Sequence, residues 1–161
     1  MVASNGVWSI SGPDEFFSLD QIRIRKIIDH RFVAKECIST IDDGLVIWGE
    51  SEVFLLTPTV GDDREPINRI AKGAVYSFYN KIDVELKRRG FARTDSFNKR
   101  AYFFYPSTKV LAGSKFGSSS LGNKAMCFDT QIGAWQPPIE YGGTNLLVSD
   151  MITIPSKDLF D

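Results

Sequence analysis

The stretch from Phe91 to Tyr141 constrains the fold most, because it holds two β-hairpins in series. In FARTDSFNKRAYFFYP (91–106), Phe91 and Arg93 alternate with Ala92 and Thr94, and DSFNKR supplies a polar turn. The returning RAYFFYP carries aromatics on both faces, the mark of a central strand covered from both sides. In KAMCFDTQIGAWQPP (124–138), AMCFD and AWQPP flank a TQIG turn. Pro137-Pro138 should end that pairing, since proline has no amide to donate. Between the hairpins, STKVLAGSKFGSSSLGN (107–123) is rich in Ser and Gly and reads as a long flexible loop.

The first half carries the same grammar less completely. NGVWSISG (5–12) is a short strand between turn signals, and IRIRKII (22–28) alternates Ile22 and Ile24 with Arg23 and Arg25 as a half-buried strand. FVAKECIST (32–40) fits no single period. TIDDGLVIWGESEVFLLTP (40–58) is a clear hairpin, with LVIW and EVFLL about the Gly49-Glu50-Ser51 turn. The period then changes. Ile67, Ile70, Ala71, Ala74, Val75, Phe78, Tyr79 and Ile82 form one stripe at helical spacing, which predicts an amphipathic helix over 66–82. Pro66 suits its first turn, Asp62, Asp63 and Glu65 complement its dipole, and Lys87, Arg88 and Arg89 before Gly90 suit the end of a second short helix.

A faint repeat links these pieces. GVWSIS (6–11), EVFLLT (52–57) and AYFFYP (101–106) share an aromatic-centred pattern, and Trp8, Phe54 and Phe103 follow one another at intervals of 46 and 49 residues. Periods of about 40–50 residues with several short strands each belong to propeller blades. The expected fold is mainly β, with propeller-like antiparallel blades at about 1–58 and 90–141 and one inserted amphipathic helix. Trp8, Trp48, Phe54, Phe103, Asp129 and Trp135 are the expected blade anchors. The chain of 161 residues has room for one core, so it reads as a single module. A strand almost at Met1 and another near the end suggest a segment of a longer protein.

Little in the chain points to catalysis. His30 is the sole histidine, lies in the turn-like KIIDHRF, and has no G-x-S-x-G serine to serve. Asp42-Asp43 and Asp62-Asp63 are adjacent pairs whose side chains diverge in extended backbone, so turn and cap roles outweigh acid–base or metal roles. GSKFGSSSLG lacks the Gly-Lys-Ser/Thr ending of a phosphate loop. Cys37 and Cys127 sit in apolar runs and read as free buried thiols. The expectation is a non-enzyme with no cofactor and no bound metal. No apolar run reaches the ~18 residues of a membrane-spanning helix.

Charge is unevenly placed. The chain has 19 Lys+Arg against 20 Asp+Glu, a net charge of −1. Between Val84 and Lys124, however, nine basic residues face two acidic ones. Lys87, Arg88, Arg89, Arg93, Lys99 and Arg100 are therefore candidates to face DNA phosphates or an acidic neighbouring subunit. A solvated surface is the plainer reading of the same run.

The order of elements resembles a known family. GVWSISG, DDGLVIWGESEVFLLTP, a helix ending in YNKI, ARTDSFNKRAYFFYP and AMCFDTQIGAWQPP follow one another as in the β-propeller region of tail nozzle proteins of short-tailed bacteriophages. These are also called tail tubular protein B or stabilisation proteins. Asp95-Ser96, Asn98 to Tyr105, and Phe128-Asp129 to Trp135 occupy the family's most patterned places, and the resemblance spans roughly residues 5–140. It implies a structural virion protein made in the host cytoplasm and assembled in the tail. Its implied partners are copies of itself in a hexameric ring, portal or adaptor and tail fibre proteins, and genomic DNA in the channel. Family members are several times longer than this chain. Separately, Asp129 and Trp135 in CFDTQIGAW resemble the strand-turn-strand signature of kelch-type blades. The alternative function is thus a kelch-like platform binding protein or glycan, the latter requiring Trp48 or Trp135 to face solvent. A propeller-type hydrolase would instead need carboxylates clustered in a central pocket.

Overall fold

A computed structural model describes residues 2–3, 5–11, 22–33, 36–41, 44–57, 67–107, 123–141 and 151. The chain is mainly β, with antiparallel sheets and, among the described residues, two short helices, and it divides into a unit of residues 1–32 and a unit of residues 33–161. Among the described residues the sheets do not close into a barrel or ring.

The first unit is a three-stranded antiparallel sheet of β1 (Val2–Ala3), β2 (Gly6–Ser11) and β3 (Arg23–Ile28), in that spatial order. Its register slips between Val7 and Trp8, opposite Ile28 and Lys26. The Lys26 ammonium lies 5.3 Å from the centre of the Trp8 ring and pairs with Asp29. Alternation in β3 does not produce the expected half-buried face: Ile28 is buried, but Ile24 is 62% exposed.

The second unit contains two consecutive four-stranded meanders. β4 (Ile38–Ile41), β5 (Gly44–Trp48), β6 (Val53–Leu56) and β7 (Ile67–Arg69) pair in chain order. Helices α1 (Gly73–Lys81) and α2 (Val84–Arg88) follow. The second meander is β8 (Phe91–Asp95), β9 (Arg100–Tyr105), β10 (Lys124–Asp129) and β11 (Ala134–Glu140), again in chain order. The expected hairpins at 44–56, 91–105 and 124–140 are all present. The expected unit 1–58, by contrast, divides between the sheet of the first unit and β4–β6 of the second.

Several boundaries differ from the sequence reading for identifiable reasons. The helix begins at Gly73, not 66, because Ile67, Asn68 and Arg69 pair with Leu56, Leu55 and Phe54. The open edge of β6 satisfies those backbone groups before a helix can nucleate. The apolar stripe is also not a buried face: within α1 only Tyr79 is buried, and Ala74 and Phe78 are exposed. Pro137-Pro138 do not end β11. The register shifts between Ala125 and Cys127, and pairing resumes at Ile139 and Glu140. A bulge on an outer strand accommodates residues that lack a donor. Residues 108–122 of the loop, Pro66, and the acidic pairs Asp42-Asp43 and Asp62-Asp63 lie outside the described residues.

β9 is buried on both sides, as its aromatics predict. On one face Phe103 stacks on Trp48 of the first meander, with ring centroids 5.0 Å apart. On the other, Phe91, Tyr102 and Phe104 cluster with Ala125 and Cys127, and partly buried Ile139, Tyr141 and Met151 pack against them. Gly90 lets α2 run directly into β8, since a Cβ there would fall 2.6 Å from both the Phe103 ring and the Phe104 carbonyl. Gly133 closes the β10–β11 turn at a φ of 66°, a conformation that glycine adopts freely.

Candidate functional site

The two meanders of the second unit meet through their aromatic anchors. Trp48 stacks on Phe103 and meets Trp135 edge-on at 5.6 Å, while Phe128 lies 5.2 Å from Trp135. The Trp135 indole donates to the Ile70 carbonyl at 2.9 Å, fastening β11 to the chain just after β7. The Trp48 indole N–H is buried with no partner among the described residues. Phe54 is buried in β6, whereas Trp8 belongs to the first unit. Of the two tryptophans of which a glycan platform would need one to face solvent, Trp48 is fully buried, whereas Trp135 is half-buried.

The helices grip the β5–β6 turn carbonyl by carbonyl. Tyr79 donates its hydroxyl to Gly49 O at 2.6 Å, Lys87 its ammonium to Glu50 O at 2.6 Å, and Asn80 its amide to Ser51 O at 3.0 Å. Three successive acceptors that a tight turn leaves unpaired are thereby satisfied. The Lys87 nitrogen also lies 4.0 Å from the centre of the Tyr79 ring, a cation–π contact. Burial pushes the Lys87 ammonium down to about 8 and raises the Tyr79 phenol. Lys87 is only 2% exposed, so this member of the basic run does not face a solvent-borne partner.

The remaining basic residues have separate local roles. Arg88 is exposed, lies 2.6 Å from Glu85 and 3.8 Å from Glu50, and Arg89 is exposed beside it at the end of α2. Arg93 bonds Glu36 at 2.8 Å and lies 5.0 Å from the centre of the Phe91 ring. Lys99 occupies the β8–β9 turn at a φ of 55°, and its carbonyl accepts from Thr130 N and Oγ1 at 2.9 and 2.7 Å. Arg100 approaches Asp129 at 3.4 Å. Asp129 also accepts from the Gln131 and Ile132 amides, and its carboxyl is held below the usual range, chiefly by the Ile132 bond. Among the described members of the run, Lys87 holds a turn, Arg88 and Arg100 pair with nearby carboxylates, Arg93 pairs with Glu36, and Arg88 and Arg89 are exposed.

Two structural residues were not visible from the sequence. Asn123 is completely buried and accepts from Ser107 N at 2.7 Å, and its backbone joins the ends of β9 and β11 through Tyr105 O and Tyr141 N. Ser39 of β4 donates to Arg93 O at 3.1 Å, tying the first strand of one meander to the first strand of the next. Ala92 N donates to Glu36 O across the same seam at 2.6 Å. Polar residues in loops and at strand edges show no period, so only the assembled fold reveals these links.

Beyond that seam a cleft of about 470 Å³ opens between β4 and β8. Thr40, Arg93, Thr94, Ser96, Lys99 and Thr130 supply its polar lining, and Ile38, Ile41 and Ala92 its apolar lining. A second groove of about 330 Å³, largely apolar, lies between Phe78 of α1 and Trp135 to Pro138 of β11.

No known family model matches the chain, and a search of curated proteins finds no significant match. Among the described residues, no three His, Cys, Asp or Glu side chains gather to hold a metal, and Cys37 and Cys127 are both buried. No described helix is long and apolar enough to cross a membrane.

Proposed function

We propose that this chain is a structural module of a bacteriophage tail, a propeller-bearing part of the nozzle ring that extends the DNA channel. The observation that carries this reading is the arrangement of the second unit. Two successive four-stranded meanders pack face to face through Trp48, Phe103 and Trp135, with first strands β4 and β8 adjoining along the Glu36–Ala92 seam. Neighbouring propeller blades have this relation, with inner strands toward an axis and outer strands at the rim. The outer strands also suit a rim: β7 is only three residues long, and β11 carries two prolines, both devices that blunt a sheet edge. The ordered resemblance over residues 5–140 supplies the tail assignment. In this reading the polar side chains hold turns and seams, and the module works by packing within a ring.

Electron microscopy tests the reading on the particles that contain this chain, decorated with an antibody raised against it. The expected label lies on the tail, below the head. Label confined to soluble, non-particulate material would contradict the assignment.

A further inference from the structure

We draw no further inference here: the strongest candidate, the largely apolar groove between Phe78 of α1 and Trp135 to Pro138 of β11, carries no proposal because nothing in the structure shows what covers it.

Discussion

At the scale of single residues, Lys87 shows how a fold reverses a sequence expectation. Within the run Lys87-Arg88-Arg89 it reads as a solvated cation, yet it is buried against the Tyr79 ring and the Glu50 carbonyl. Nothing in the run announces this, because the acceptor lies 37 residues away. Burial sets a testable pH dependence. The folded-state value is lowered to about 8 from an ordinary 10.5. Between those values the folded protein sheds a proton that the unfolded chain keeps, so stability rises with pH across that window. Above about pH 10 the trend reverses. Burial raises Tyr102 and Tyr105 to about 12, so the unfolded chain loses phenol protons that the folded one retains. Denaturant midpoints from pH 7 upward should climb past pH 8 and fall beyond pH 10. Lys87→Met should abolish the climb, and an unchanged climb in that variant would show that another group titrates.

At the scale of elements, legibility followed the period. The strands around the 49–51, 96–99 and 130–133 turns were readable because aromatic or β-branched runs abut polar turns. β7 was not, since Ile67 and Ile70 fit helical spacing as well as a short edge strand, and only the free edge of β6 decides between them. The pairing of β9 with β10, which turns two hairpins into one meander, was equally hidden. The 107–123 stretch carries no pairing signal, and Asn123 fixes the return through contacts distant in sequence. Of the candidate site, the anchors Trp48, Phe103 and Trp135 were legible as large aromatics, but their meeting was not. That meeting has a measurable energy. A double-mutant cycle on Trp48→Leu and Phe103→Leu should give a coupling of about 0.5–1.5 kcal/mol, as aromatic pairs in contact do. Additive losses would mean that the two sheets do not pack through this pair.

At the scale of the whole molecule, the propeller reading makes the chain a contributor to a larger body. β4 and β8 are edge strands with a cleft between them, whereas β7 and β11 are blunted by shortness and by proline. Such an asymmetry suits blades whose inner edges are sheltered by an assembly and whose outer edges meet solvent. Four described basic residues contribute local bonds to the same body: Lys87 to the Glu50 carbonyl, Arg88 to Glu85, Arg93 to Glu36 and Arg100 to Asp129. The most direct test is the mass of the native assembly, measured by light scattering, with its components resolved on a denaturing gel. The expected result is a ring many times the 18.0 kDa of this chain, in which the chain accompanies other virion proteins. A stable, folded monomer of 18.0 kDa would contradict it.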